Sequence, residues 1–465
     1  MASLLTIPLE LLVAVSAYLP TEDLGSLRLT CKQVEKSLYE WFSKEFFTKK
    51  QFMLTHKSLQ ALIDISRHAS FSKKLTHVII ATDMYEHVPL RFRDEDSATR
   101  YVTGYEEQKT LLSLGMDREM LTEAFQRLEN LTTVGIRDFN AHNRFRDGKG
   151  WTSWGSTTVY RETGIPLKFN SISTYMPEMQ GTYFVSRLFS NVLYALGRAN
   201  RNPPEFEVLL CHQGLSDTAF SLPDFVRPAV EPVLEKMTTL LLNVSFVGRL
   251  LHTHTNGQTV DPNAGRFIRQ FLGCTPNLTH LRVNFEKGLV AHNESFLDWL
   301  GQPVPTISAR TTDWFDPPPI ALPFLKRLEL GQLSVPTNTT VTLVTKFTST
   351  LEYLSLWRMN LYTLSAPPIG HKPNLWKDLF ERLSKIPQLN LTHLKVGMVQ
   401  QNHMFVDFGP GEGRAAPLKQ MEFSGRDTDK FWSDLQERVT VQWPEPMVDA
   451  SDEDEDDEED VEDAE

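Results

Sequence analysis

The residues of this sequence that could carry chemistry include 13 histidines and three cysteines. Cys31, Cys211 and Cys274 are far apart and odd in number, with no Cys-x-x-Cys pair. That excludes a disulfide scaffold and a thiolate zinc site, and it fits a reducing compartment. His252 and His254 could share one face of a strand as metal ligands, but no third ligand accompanies them. We therefore predict no metal and no cofactor.

Motifs that bind phosphate or activate a nucleophile are no better supported than a metal site. The string Gly409-Pro410-Gly411-Glu412-Gly413 is rich in glycine, yet Pro410 removes a backbone donor and no Lys-Ser or Lys-Thr pair follows. The sequence has no Gly-x-Ser-x-Gly elbow, no His-Glu-x-x-His pair and no Walker loop. An active site assembled from distant residues stays open, but nothing favours one. We predict no catalytic residue and a protein that is not an enzyme.

The net charge of −12 comes from one segment. Residues 451–465 hold twelve Asp or Glu and no Lys or Arg, and the other 47 acidic residues match the 47 basic ones. A neutral body gives no support for binding nucleic acid, which needs clustered basic charge. We predict a disordered acidic tail over residues 446–465 and no nucleic-acid partner.

The apolar N-terminus, residues 4–19, could be a secretory signal or a helix. No Lys or Arg precedes it, Pro8 and Glu10 interrupt it, and no clear cleavage site follows. No apolar stretch reaches the ~20 residues of a membrane span. We expect an intracellular protein, cytoplasmic and/or nuclear, without membrane contact; a secreted binding protein is the alternative.

A helical interpretation explains this N-terminus better. Pro8 fits a first helical turn, where its missing N–H costs nothing, and Pro20 ends that helix. Thr21 can cap a second short helix, and a third runs from about Cys31 to Phe47. Such a small helical module cannot build a large core alone. Its surplus of leucine therefore indicates a docking face.

Three strings resemble the F-box motif in its usual order and spacing: Ile7-Pro8-Leu9-Glu10-Leu11-Leu12, Tyr18-Leu19-Pro20-Thr21-Glu22-Asp23-Leu24 and Leu27-Arg28-Leu29-Thr30-Cys31-Lys32. Trp41-Phe42 falls where the family's third helix packs. The resemblance implies that residues 1–47 form a three-helix F-box. Such a module binds the Skp-type adaptor of a cullin–RING ubiquitin ligase, and through it a cullin. A helical hairpin that merely caps a larger domain is the alternative.

The resemblance also implies particular adaptor contacts. Carried over position by position, they are Pro8, Leu9, Leu12, Leu19, Leu24, Leu27 and Cys31. Ser16, Gly25 and Val34 depart from the family's pattern. These departures bear on adaptor affinity more than on the fold.

One pattern recurs through the body of the chain: an apolar residue, two positions, an apolar residue, one position and an apolar residue. Its alternating half is typical of a short strand with one buried face. Copies start at Leu75, Leu131, Met237, Leu278, Leu325, Leu351, Leu391 and Leu418, with a weaker one at Phe206. The spacing between starts is irregular, for example 26 residues from Leu325 to Leu351 and 56 from Leu75 to Leu131, whereas leucine-rich repeats run roughly 20–29 residues.

The pattern resembles the strand segment of leucine-rich repeats. Helical patterns lie between the strands, at Ser58–His68, Asp117–Leu128, Tyr183–Leu196, Ala264–Leu272 and Trp376–Ile386. We predict long loops at 140–166, 302–323 and 364–375. The expected fold is α/β, with the F-box followed over residues 48–445 by an irregular leucine-rich-repeat-like solenoid. An unrelated α/β domain with leucine-rich strands is the alternative.

The open face of such strands would carry varied polar and aromatic side chains, which suits protein recognition. The predicted target-binding residues are Arg282, Arg327, Tyr353, Trp357 and Lys395. The cations would favour an acidic or phosphorylated target. The sequence therefore predicts the substrate-recognition subunit of an SCF-type ubiquitin ligase with an unknown protein target. An interaction scaffold not engaged in ubiquitination is the alternative.

Overall fold

The structure is a computed structural model. It describes residues 7–86, 90–140, 152–169, 177–246, 250–253, 257–260, 264–286, 290–305, 317–363, 371–410, 416–425 and 427–444. His254, residues 411–413 of the glycine-rich string and the predicted tail 446–465 lie outside the described residues.

Three helices open the chain: α1 (Leu9–Tyr18), α2 (Thr21–Thr30) and α3 (Lys32–Phe47). Pro8 and Pro20 each stand immediately before a helix, where their fixed φ suits the helix start. The helices share a small core of their own, formed by Leu12, Leu24, Val34, Leu38 and Phe46.

The remaining elements are, in chain order, β1 (Lys49–Met53), α4 (His56–Arg67), α5 (Phe71–Lys74), β2 (His77–Ala81), β3 (Asp83–Met84), α6 (Glu95–Ser113), α7 (Met116–Phe125), β4 (Thr133–Arg137), α8 (Ser156–Thr163), β5 (Lys168–Phe169), α9 (Pro177–Arg198), β6 (Glu205–Leu209), a 3-10 helix (Asp217–Phe220), α10 (Arg227–Glu235), β7 (Thr239–Val244), β8 (Leu250–Thr253), β9 (Gly257–Val260), α11 (Arg266–Gly273), β10 (His280–Phe285), α12 (Val290–Gly301), β11 (Arg327–Gly331), β12 (Ser334–Val335), α13 (Thr337–Lys346), β13 (Tyr353–Trp357), β14 (Asn360–Leu361), α14 (Leu375–Ser384), β15 (His393–Gly397), β16 (Gln400–Gln401), β17 (Met404–Asp407), β18 (Gln420–Ser424), α15 (Thr428–Arg438) and β19 (Thr440–Val441).

Ten strands form the main sheet, in the order β1-β2-β4-β6-β7-β10-β11-β13-β15-β18. Neighbours pair in parallel until the last strand, so each strand lies beside the next one along the chain. Every copy of the sequence pattern lies at one of these strands. The expectation of a parallel sheet is wrong for β18, which is antiparallel to β15. The chain reaches β18 through β16 and β17, with no helix in the described residues 398–410 and 416–419, and a parallel return needs a long crossover.

One face of the sheet and the helices share the large core. Strand β10 shows the alternation plainly, with Leu281, Val283 and Phe285 buried and the residues between them only partly buried. The buried residues pack with the apolar faces of α4, α7, α9 and α14. On the opposite face, His280, Arg282 and Asn284 of β10 and Arg327 and Glu329 of β11 are only partly buried.

Short strands beyond the main sheet were not predicted. Strands β12, β14 and β16 pair with one another in parallel, and each follows a main strand after a tight corner. Gln332, Arg358 and Met398 form these corners, all with φ between 52° and 59°. A residue with positive φ thus follows the main strand directly in three successive strand pairs. The backbone conformation therefore repeats in this part of the chain.

Two predicted loops include helical residues. The stretch 140–166 contains α8, and the segment 364–375 ends where α14 begins at Leu375. Helix α6 was also missed, because its 19 residues include just four buried ones, two of them polar. Hydrophobic periodicity is weak in such a helix.

Candidate interaction surfaces

A patch of exposed apolar side chains lies on the N-terminal helices. Leu11, Val15 and Tyr18 are spaced by four and three residues and therefore share one side of α1. Their exposed fractions are 58%, 55% and 91%, and Leu9 and Leu29 add 50% and 88%. We call the stripe of Leu11, Val15 and Tyr18 the apolar helical face; Leu9 lies about 200° around α1 from Leu11, and Leu29 belongs to α2. An exposed apolar patch on so small a module is typical of a docking site.

The structure separates the predicted adaptor contacts into two groups. Leu12 and Leu24 are buried in the core of the three helices, with 5% and 0% exposure. Leu19, Leu27 and Cys31 are half-buried against that core, whereas Pro8 and Leu9 are exposed. Leu12 and Leu24 therefore hold the helices together in this structure. They do not contribute to the apolar helical face.

Sequence reasoning missed Leu11, Val15, Tyr18 and Leu29. The spacing of Leu11, Val15 and Tyr18 is the signal that could have found them, because a stripe at i, i+4 and i+7 marks one side of a helix. The predicted set followed the family motif, which does not distinguish core from surface.

The departures from the F-box pattern do not touch this face. Ser16 and Val34 are buried, and an added Cβ on Gly25 would meet no atom within 4 Å. Their effect is on the core and on helix stability rather than on the exposed side chains.

A second surface is the open face of the main sheet, which we call the polar sheet face. Strand register aligns His280, Arg327, Tyr353 and His393 in one row across β10, β11, β13 and β15. The next row contains Arg282, Glu329, Ser355 and Lys395. All five predicted target-binding residues therefore lie on four adjacent strands.

Glu329 organises the middle of this face. Its carboxylate lies 2.7 Å from the Nε2 of His280 and accepts a 2.7 Å hydrogen bond from Nε of Arg327. Burial alone would raise the pKa of Glu329, but these two neighbours outweigh burial and hold the pKa below its ordinary value. Glu329 is therefore ionised, and its carboxylate already has His280 and Arg327 as partners.

Glu207 is the corresponding carboxylate on the side of the sheet nearer β1, where it also contacts an arginine and a histidine. Arg137 donates a 3.0 Å hydrogen bond to it, and the Nε2 of His77 lies 3.6 Å away. Burial and the charges of Lys49 and Arg137 lower the pKa of His77 to about 3. His77 is therefore neutral at pH 7, and its contact with Glu207 is not a salt bridge.

Tyr353 and Trp357 are half-buried, although the sequence suggested exposed aromatics. The guanidinium of Arg327 lies 4.0 Å above the Tyr353 ring, and the ammonium of Lys395 lies 5.5 Å from the Trp357 ring centre. Lys395 also lies 3.3 Å from Glu422. Each of these cation–π contacts occupies one side of a ring and holds the cation in place.

The buried carboxylate of Asp83 is the described group whose position most invites a catalytic interpretation. It accepts a hydrogen bond from Ser153. Burial raises the pKa of Asp83 to about 6, against the lowering effect of that bond. Both side chains are buried, so a substrate has no access to them here. Among the described residues, no group of three His, Cys, Asp or Glu could hold a metal ion.

We expect Asp83→Asn to stabilise the protein at neutral pH. The pKa of Asp83 is about 6 when folded and 3.8 in its ordinary state. The folded state therefore binds more protons between these values, and this group's contribution to stability is lost as pH rises through 6. Replacing the carboxyl by an amide removes the cost of ionising a buried group. The free energy of unfolding should therefore rise by about 3 kcal/mol at pH 7.5 and by about half of that at pH 5.

Urea denaturation of both proteins at the two pH values checks this prediction. Asn keeps an oxygen that can accept from Ser153, so the hydrogen bond is retained. An equal gain at both pH values would contradict the raised pKa.

The family model for the F-box domain matches residues 4–36. The chain carries an F-box domain. The match spans α1, α2 and the first turn of α3, and therefore includes the apolar helical face. F-box domains bind Skp-type adaptors of ubiquitin ligases, and F-box proteins are typically substrate adaptors rather than enzymes. Among curated proteins, none matches this chain. No helix within the described residues has the length and apolar character to cross a membrane.

Proposed function

We propose that this chain is the substrate-recognition subunit of an SCF-type, cullin–RING ubiquitin ligase. Its F-box docks on a Skp-type adaptor, and through it on a cullin, while the body of the chain binds a protein target. The F-box match, together with five exposed apolar side chains on the matched helices, carries the proposal. These partners lie inside the cell, in the cytoplasm and/or nucleus.

The apolar helical face supports the docking step. Burying a large apolar side chain that was exposed contributes roughly 1.5–3 kcal/mol. Several such side chains together can exceed the entropic cost of association and leave a specific complex. The buried residues of the same helices keep the face in shape, which separates their role from that of the docking residues.

We also infer that the body is a leucine-rich-repeat-like solenoid. The order of the strands, each beside the next along the chain, supports this, as do the repeated left-handed corners. A ladder of threonine hydroxyls gives further support. Each one precedes a strand and donates to a carbonyl just before the neighbouring strand: Thr132 to Thr76, Thr238 to Pro204, Thr279 to Thr238 and Thr392 to Glu352.

The double variant Leu11→Asp, Val15→Asp tests the docking proposal. Both side chains are exposed in the free chain, so the thermal unfolding midpoint should change little. Two carboxylates in an apolar interface lose burial and must be desolvated, so co-purification with a Skp-type adaptor should fall at least 100-fold, about 3 kcal/mol.

A matched control exists on α6 and the residue that follows it. Val102 and Leu114 are 57% and 70% exposed and lie outside the F-box. Val102→Asp, Leu114→Asp should leave adaptor binding intact. Adaptor recovery at the wild-type level with the α1 variant would overturn the docking assignment. Recovery of the adaptor without a cullin would instead favour a scaffold outside the ligase.

A further inference from the structure

Arg282 differs from the other cations near it on the polar sheet face. It lies on β10, between β7 and β11, near the middle of the main sheet. In the part of the chain that the structure describes, no hydrogen bond or ion pair engages its guanidinium, and its Nε is shielded from solvent without a partner. Arg137 and Arg327 each bind a glutamate.

The carboxylates nearest to Arg282 are already occupied. Glu207 accepts from Arg137 at 3.0 Å, and Glu329 accepts from Arg327 at 2.7 Å. Counting the Lys, Arg and Glu side chains of this face from β1 to β11, four positive charges (Lys49, Arg137, Arg282 and Arg327) face three negative ones (Glu205, Glu207 and Glu329). One positive charge is therefore uncompensated on this part of the face.

The surroundings of Arg282 make its positive charge destabilising. Burial lowers its pKa, and the attraction of Glu329 and Glu207 opposes that effect while Arg327 and Arg137 add to it. A partly desolvated cation without a hydrogen-bonded partner destabilises the fold. Residues that break the rules of folding in this way are expected at functional sites.

We propose that Arg282 binds a carboxylate group of the protein target. The target is that of the proposed ligase subunit, so the inference rests on that function. A guanidinium is suited to such a group because it can donate two parallel hydrogen bonds to a carboxylate.

The local charge favours a carboxylate over a phosphate. A carboxylate carries one negative charge and cancels the single surplus beside Arg282. A phosphorylated side chain carries about −1.5 to −2 at neutral pH. It would leave a net negative charge next to Glu207 and Glu329.

Distance along the sheet suggests what else the target supplies. Strands β10 and β13 are two spacings apart, roughly 10 Å. An extended peptide covers that distance in about three residues. A carboxylate on Arg282 would therefore be followed, three residues on, by an apolar side chain against Tyr353 and Trp357.

The probe is the blocked peptide acetyl-Ser-Glu-Ser-Ser-Leu-Ser-amide, titrated calorimetrically into the full chain. Its Glu-to-Gln version removes the side-chain carboxylate, and a Gln version with a free C-terminus restores a carboxylate at the chain end. We expect the Glu peptide to bind at least tenfold tighter than the blocked Gln peptide. A free C-terminus that restores the affinity would identify the chain end as an equivalent source of the carboxylate.

Arg282→Gln should abolish the preference for carboxylate. Because the cation lacks a partner, its thermal unfolding midpoint should stay unchanged or rise by up to about 2 °C. The matched control is Arg382→Gln on α14, an arginine 3.5 Å from Asp378 on the helical side of the sheet. It should bind both peptides like the wild type.

Three results would overturn the proposal. One is no binding, or equal binding of the Glu and Gln peptides to the wild-type chain. Another is a midpoint lowered by more than about 5 °C in Arg282→Gln, which would assign Arg282 a structural role. The third is a phosphoserine peptide that binds at least tenfold tighter than the Glu peptide and loses that affinity in Arg282→Gln. Adaptor co-purification is measured separately, so failure here leaves the F-box assignment standing.

Discussion

Gly197→Ala should lower the free energy of unfolding by about 2 kcal/mol, whereas Gly25→Ala should raise it by about 0.5–1 kcal/mol. Both glycines lie inside helices, Gly197 in α9 and Gly25 in α2. The opposite signs follow from what a new methyl group would meet at each position.

At Gly197 the added Cβ would meet backbone. It would lie 2.0 Å from the carbonyl oxygen of Ala229 and 2.6 Å from its carbonyl carbon, both at the crossing of α9 and α10. No rotamer change relieves a clash with backbone, so one helix must move. Overpacking of this kind costs about 1–3 kcal/mol or more, which exceeds the gain of about 0.5–1 kcal/mol from better helix propensity.

At Gly25 the methyl group would meet nothing within 4 Å. The gain in helix propensity is then unopposed. Chemical denaturation of both variants beside the wild type measures the two free energies. Equal stabilisation would show that α9 and α10 can separate without cost, contrary to the close approach in the structure.

These glycines illustrate a limit of sequence reasoning. Each is a helical Gly flanked by polar and apolar residues, and the contact that distinguishes them comes from α10, more than 30 residues beyond Gly197. The strands were easier to predict because a buried strand repeats its apolar residues every second position. Strand β1 was missed because Lys50 stands where the pattern has its second apolar residue, opposite Val78 of β2.

The surfaces were predictable to different degrees. Strand periodicity predicted an open face that includes Arg282 and Lys395. Which cation is neutralised depends on pairs between strands, such as Arg137 with Glu207 and Lys395 with Glu422. Sequence spacing gives no strand order for such pairs when the intervals between strands are irregular. The unpartnered state of Arg282 therefore emerged only from the structure.

The connection between the F-box and the sheet rests on a ring pair. Phe47, the last residue of α3, packs against the core of the three helices and against the large core. Its ring stacks on Phe71 of α5 with centres 3.9 Å apart and planes 3° from parallel. An ion pair between Lys74 and Glu40, 2.7 Å long, lies across the same junction.

Phe47→Ala should loosen this junction without unfolding the sheet. Truncating a half-buried Phe costs about 2 kcal/mol, less than the 3–5 kcal/mol typical of a core Phe. Since 1.4 kcal/mol is tenfold, amide hydrogens in the last turns of α3 should exchange about 30-fold faster. Exchange in β10 should keep its wild-type rate, because local opening does not require the whole sheet to open.

Phe225→Ala is the matched control, since that ring is 83% exposed and its loss should change neither rate. Faster exchange in α3 and β10 alike would show that the two cores unfold together, and an unchanged α3 would show that the ring pair contributes little. If the proposed function holds, Phe47→Ala keeps adaptor binding, because the apolar helical face is untouched. It should nevertheless slow ubiquitin transfer to a bound target, because transfer depends on how the junction orients the target relative to the ligase.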